Sequence, residues 1–247
     1  MAATANEPTH VTVKLVGREE VAERTSLFRF EKPPGWTFKS GQTVDITLLD
    51  PPETDAEGNT RTFSIASAPD EPTLMIATRM RDSAFKRTLG AMPLGTAVKI
   101  EGPFGNFVLH NNPAKTAVLL AGGIGVTPFR SMAFRAAKEK LPHRVFLFLS
   151  NRRPEDAAFL KELEALERQN PNYKLIATMT GMENSSRPWN GETGFIDKEM
   201  LSRHVKDALS PIYYIAGPPG MVNGLREMLH QAGVDDDDIR AEDFPGY

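Results

Sequence analysis

Thr116-Ala117-Val118-Leu119-Leu120-Ala121-Gly122-Gly123-Ile124-Gly125-Val126-Thr127-Pro128 sets the architecture of the second half of the chain. The apolar run 116–120 reads as a strand, and 129–140 carries a helical pattern. A strand, a glycine turn and a helix together present backbone N–H groups to a phosphate. Thr127 is expected to cap the helix, with Pro128 at its first position. Gly122, Gly123 and Gly125 permit a sharp turn and a close ligand approach. The spacing is not GxGxxG, and no Lys-Ser/Thr follows as in a P-loop. The stretch alone therefore also fits a tight strand–helix turn with no ligand.

Downstream the same alternation continues. Strands are expected at 116–121, 145–150, 173–178, 212–216 and 239–244, and helices at 129–140, 156–169, 197–208 and 222–231. Val145-Phe146-Leu147-Phe148-Leu149 is a continuous apolar run, as buried parallel strands are when helices cover both faces. The pattern predicts a doubly wound α/β domain with a parallel sheet over 112–247, with ligands at the carboxyl ends of its strands. Three stretches fall there: 122–127, Ser150-Asn151-Arg152-Arg153, and Ala216-Gly217-Pro218-Pro219-Gly220-Met221. Ser150, Arg152 and Arg153 suit a ribose or its 2′-phosphate; a basic loop leading to a helix cap at Asp156 is the plainer alternative. Asp235 to Asp238 reads as a solvated acidic face.

Upstream the text changes to short strands separated by Gly, Pro and Asp, at 10–16, 25–30, 43–49, 61–66, 74–78 and 97–101, with one helix at 83–89. Six short strands and one helix predict a small closed antiparallel β-barrel over 10–111, since closure removes exposed edges. Residues 1–9 read as a short disordered lead-in, 51–59 as a mobile polar loop and 111–115 as a linker. Arg61-Thr62-Phe63-Ser64 puts a guanidinium, an aromatic ring and hydroxyls on adjacent strand positions. Such a tetrad suits a diphosphate at Arg61, a flat ring at Phe63 and a ring nitrogen at Ser64, or simply a barrel strand with one surface arginine. Further on, Asp82 or Ser83 is positioned to cap the short helix, with Arg79 and Arg81 adding positive charge.

The 247 residues suffice for one large domain or two modest ones, and 40% hydrophobic with 25% charged residues is the balance of a globular protein. A formal charge of −3 argues against a nucleic-acid partner. The chain has no cysteine, which removes disulfides, thiol redox chemistry, cysteine-ligated zinc and an ordinary iron–sulfur cluster; no metal site is expected. No apolar run is long enough for a membrane segment, and no signal-peptide pattern opens the chain, so a cytoplasmic location is expected.

Taken together, the chain resembles the ferredoxin–NADP+ reductase superfamily over roughly 10–247, in particular bacterial FAD-dependent NAD(P)H reductases without a fused iron–sulfur domain. Arg61-Thr62-Phe63-Ser64 is similar to the Arg-x-Tyr/Phe-Ser flavin motif, and Gly102-Pro103-Phe104-Gly105 to the end of the flavin barrel. Residues 122–128 resemble the nicotinamide-cofactor loop, and 216–221 the Cys/Ala-Gly-Pro-x-x-Met segment. The resemblance implies FAD between the domains, with Arg61 on its phosphates, Phe63 on the ring and Ser64 near N5. Ser83 matches the Ser/Thr of the phosphate-binding helix, while Met80 replaces a frequent glycine and Ala216 a frequent cysteine. It further implies NADPH or NADH as hydride donor at 122–127, Gly217 and Pro218. Glu242 is expected to set polarity near the nicotinamide, and Tyr247 resembles a terminal aromatic that covers the flavin. Arg152 and Arg153 favour NADPH, whereas Gly194-Phe195 lacks an arginine found near that position in NADP-specific relatives. The implied activity is hydride transfer from NAD(P)H to FAD, then electron transfer to a ferredoxin or another one-electron acceptor. A flavin-binding electron-coupling subunit and a reductase of free flavin or ferric chelates remain open beside it.

Overall fold

The computed structural model describes residues 9–206 and 210–244. Residues 1–8 of the expected lead-in, the end of the helix expected at 197–208, and Tyr247 lie outside the described residues.

The first half contains β1 (Thr9–Ala22), β2 (Thr25–Glu31), β3 (Thr43–Leu48), β4 (Thr60–Ser64), β5 (Thr73–Arg79), α1 (Ala84–Ala91) and β6 (Ala97–Phe104). These strands form one six-stranded sheet in the order β4-β3-β6-β1-β2-β5, antiparallel at every pair. Just past β4, Ala66 N donates to Met75 O in β5 at 2.8 Å, so the two edge strands meet and the sheet curls into a barrel. Phe28, Phe30, Ile46, Ile76 and Ile100 fill its interior, and Phe85 and Leu89 of α1 pack into the same core. Each fully buried side chain of this size contributes about 1.5–3 kcal/mol relative to exposure. β1 runs six residues beyond its expected end at 16, because register shifts after Leu15 and after Glu20 bend it along β2.

The second half contains β7 (Ala117–Gly122), α2 (Val126–Lys138), β8 (Val145–Asn151), α3 (Leu160–Leu166), β9 (Tyr173–Met179) and β10 (Glu192–Thr193), then α4 (Lys198–His204), β11 (Ile212–Gly217), α5 (Pro219–Gln231) and β12 (Ile239–Asp243). The sheet order is β10-β9-β8-β7-β11-β12 and all pairs are parallel. β8 and β11 flank β7 on opposite sides, which creates a topological switch point at the carboxyl ends of β7 and β11. One face of the sheet packs on Phe129 and Met132 of α2 and Leu163 of α3, in a core that continues into Leu27, Met75 and Ala77 of the barrel. The other face packs on Met200 and Leu201 of α4 and Leu225 and Leu229 of α5. A buried guanidinium, Arg130 of α2, reinforces the junction. It reaches Glu71 of the barrel half at 2.8 Å, Glu162 of α3 at 2.7 Å and the Ala66 carbonyl at 2.8 Å.

Three local expectations are corrected. Thr127 does not cap α2: a 3-10 turn, Gly123–Gly125, leads directly into the helix, and Thr127 is its second residue, its hydroxyl donating to Ile124 O at 3.0 Å. Pro128 is accordingly the third residue, still within the turn whose N–H groups lack helical partners. The helix expected at 156–169 is a 3-10 turn at Pro154–Asp156 followed by the shorter α3, because Phe159 at φ 64° is left-handed and interrupts it. Finally, the loop 51–59 is docked onto α1 by its carboxylates, Glu53 pairing with Arg87 and Asp55 accepting from Ala84 N.

Candidate functional site

The first cleft, of about 800 Å³, opens between the barrel and the switch point. β4 supplies Arg61, Thr62, Phe63 and Ser64. Alternation along the strand puts Arg61 and Phe63 on one side, where both meet Phe85 of α1: the Phe63 ring at 5.8 Å and the Arg61 guanidinium at 5.2 Å. Thr62 points the other way and gives its hydroxyl proton to the Asp45 carboxylate. Ser64 is buried, and its hydroxyl oxygen has no hydrogen-bond partner among the described residues. A buried hydroxyl without a partner is uncommon in a finished core and marks a place for a ligand atom.

β5 and α1 supply the basic wall. Arg79 ends β5, and its Nε is buried without a partner among the described residues. Ser83 caps α1 as expected, its hydroxyl accepting from Lys86 N at 3.3 Å. Lys86, three residues on, lines the same cleft. Its pKa is pushed below the usual lysine value by burial and then by the charges of Arg81 and Arg61. Lys86 was not among the residues expected at the site; the signal for it was its one-turn spacing from the capping serine. Asp55 was also missed. Its carboxylate accepts from Ala84 N, the first N–H of α1, at 3.1 Å and pairs with Arg61 at 3.1 Å. Glu57 holds the same guanidinium at 2.9 Å, and Glu53 lies 2.6 Å from Arg87.

The far wall comes from the second half: Ile124 and Thr127 around the glycine turn, and Glu242, Asp243 and Phe244 at and just past the end of β12. Glu242 sits in β12 opposite Ala216 of β11. Burial alone raises its pKa to about 7.

A second cleft, of about 690 Å³, lies on the other side of the switch point and is also bordered by Arg79 and Arg81. Gly122 and Gly123, Ser150 and Arg152, and Pro218 and Met221 bring all three strand-end stretches together in it. Ile196, Leu225 and Met228 give it an apolar wall, and Phe195 stands at the rim with 78% of its surface exposed. The glycines act here mainly through packing. A Cβ on Gly125 would lie 2.2 Å from Ala216 O, and one on Gly217 would lie 3.1 Å from the Gly122 backbone. The two strand–helix turns therefore press backbone on backbone, which only glycine allows.

Arg152 and Arg153 part company. Arg152 lines the second cleft and forms no ion pair among the described residues. Arg153 is tied to Asp156 at 3.0 Å and to Glu23 of the barrel half at 2.8 Å, so its charge fastens the junction.

Comparison with known proteins agrees with this arrangement. Residues 119–227 match the family model described as oxidoreductase NAD-binding domain. The chain is 29% identical over 224 residues to the glycine betaine monooxygenase reductase subunit of Chromohalobacter salexigens, covering 90% of this chain and 60% of that one. It is 31% identical over 156 residues to a component of the Na(+)-translocating NADH-quinone reductase of Methylococcus capsulatus, covering 62% of this chain and 38% of that one. It thus spans 60% or less of the length of these curated relatives. Among solved structures, the cytochrome P450 reductase GcoB of Amycolatopsis superposes with a TM-score of 0.81 at 19% identity, over 96% of this chain and 70% of that one. A ferredoxin NADP+ reductase from Neisseria gonorrhoeae, with bound FAD and NADP, superposes with a TM-score of 0.77 at 20% identity, over 95% and 98%. Motif order, the pairing of barrel and parallel sheet, and these likenesses agree: residues 119–227 match an oxidoreductase NAD-binding domain, and the chain shares the two-domain fold of these reductase structures.

Proposed function

We propose that this chain is an FAD-dependent NAD(P)H reductase that passes electrons to a ferredoxin-like or other one-electron acceptor. One observation carries the reading: two clefts of different character, one at Phe63 and Ser64 and one at the 122–125 turn, adjoin at a switch point and share Arg79 and Arg81. FAD fits the first cleft, where an unpartnered buried hydroxyl at Ser64, an aromatic at Phe63 and a wall of cations match a ring nitrogen, a flat ring and a diphosphate. When bound, FAD would supply the chemistry that couples a two-electron hydride donor to one-electron release.

The residues of the chain supply orientation and exclude water. Ser64 donates its hydroxyl hydrogen to the ring edge, and Phe63 packs on the ring. Arg61, Arg79 and Ser83 border the diphosphate. Gly122, Gly123, Gly125, Thr127, Gly217 and Pro218 shape the floor that would hold the nicotinamide nucleotide. Glu242, with a pKa near 7, holds or yields a proton at its carboxyl beside the nicotinamide. Arg152 rather than Arg153 is the cation available to a 2′-phosphate. We place the boundary between the flavin-binding and nucleotide-binding domains at 111/112 and the protein in the cytoplasm. Among the described residues, no helix is long and apolar enough to cross a membrane.

Anaerobic stopped-flow spectroscopy of the flavin-loaded protein tests the reading. Bleaching of the flavin by NADH or NADPH is the expected result, and comparing the two rates assigns the donor. Bound flavin that neither nucleotide bleaches would replace the reductase with an electron-coupling subunit.

A further inference from the structure

The cations at the first cleft are not equivalent. Arg61 is committed. Its Nη2 meets Asp55 at 3.1 Å and Glu57 at 2.9 Å, and its Nη1 donates to the carbonyls of Glu57, Gly58 and Thr60 at 2.8–3.0 Å. The other Asp55 oxygen takes the first N–H of α1. The guanidinium and the helix end are thus already satisfied by carboxylates from the loop 51–59.

Lys86 is in the opposite condition. It is half-buried on the first turn of α1, and its ammonium forms no ion pair or hydrogen bond among the described residues. The charges that act on it include two repelling guanidiniums, Arg81 and Arg61, against one attracting carboxylate, Glu57. A partly desolvated cation crowded by other cations is costly until an anion joins it. The cost is met if the cleft receives a ligand with at least one phosphate at this point.

We propose that Lys86 is a direct cationic ligand of the diphosphate in the first cleft, beside Arg61, which Asp55 and Glu57 hold in place. This rests on the FAD reading above. It gives a residue on α1 a share in the discrimination between a phosphate-bearing flavin and the bare ring.

The test is titration of flavin-stripped protein with FAD and with riboflavin, which has the same ring and no phosphate, followed by flavin fluorescence. Lys86→Gln is expected to weaken FAD binding about tenfold or more, the scale of one charge-assisted hydrogen bond, and to leave riboflavin binding unchanged. Lys86→Arg is expected to restore most of the FAD affinity. Lys86→Gln that binds FAD within about twofold of wild type, or that loses FAD and riboflavin equally, overturns the assignment. Wild-type protein that binds neither flavin overturns the FAD reading itself, a distinct outcome.

Discussion

At the scale of single residues, chemistry follows from who is left without a partner. Among the described residues Ser64, Lys86 and the Arg79 Nε are uncommitted, whereas Arg61, Thr62 and Arg153 are spent on carboxylates. Glu242 illustrates the energetic consequence. Its folded pKa of about 7 lies above the ordinary carboxylate value of 4.5, so the folded state binds more protons than the unfolded chain between those limits. Stability from this group is complete below about pH 4.5 and is lost as pH rises through about 7. Glu242→Gln is therefore expected to be more stable than wild type at pH 8, by roughly 1–2 kcal/mol after allowance for partial exposure, with no difference at about pH 4.5. Urea unfolding at both pH values measures this. The same variant should flatten any titration near pH 7 in the rate of flavin reduction. An equal gain at both pH values would remove the charge explanation.

At the scale of elements, the two turns at 122–125 and 216–221 behave as one object. Gly125 faces the Ala216 carbonyl with no space for a side chain, and Met221 and Pro218 close over Gly122. Gly125→Ala must push β11 and the start of α2 apart, at an expected cost of about 1–3 kcal/mol. Because the turn also borders both clefts, nucleotide binding should fall together with stability. Thermal unfolding and a nucleotide titration check both, and a variant of wild-type stability would show that the turns are free to separate. The glycine pattern was legible in the sequence, but its reason was not. Read locally, glycine admits a ligand; in three dimensions it first admits the neighbouring turn. α3 teaches the same point, since nothing local in 156–169 announces the left-handed Phe159 that shortens it.

At the scale of the molecule, the two halves share a core rather than touching at a hinge. β2 and β5 turn Phe28 and Ile76 into the barrel and Leu27, Met75 and Ala77 toward α2, so both faces of these strands are buried. Arg130 sits at this junction between Glu71 and Glu162 and over the Phe134 ring at 4.3 Å. Burial acts against its charge, yet the two carboxylates hold its pKa above the usual arginine value. Arg130→Ala leaves these carboxylates unpaired and is expected to destabilise the protein by about 3–5 kcal/mol. Chemical denaturation measures the loss. A single cooperative transition in the wild type that splits into two in the variant would identify Arg130 as the coupling between halves. A variant as stable as wild type would show that the shared apolar core suffices.

The sequence by itself determined the two sheets, their kinds and most of their strands, because strand periodicity, turn residues and continuous apolar runs are local signals. It also determined the motifs that resemble a reductase superfamily, since those are short and ordered along the chain. Only the tertiary structure decided which charges are available. Asp55 on Arg61, Glu23 on Arg153 and Glu71 on Arg130 join residues that no periodicity connects. A cation's freedom to bind a ligand depends on distances across the fold, and those distances exist only once the chain has closed on itself.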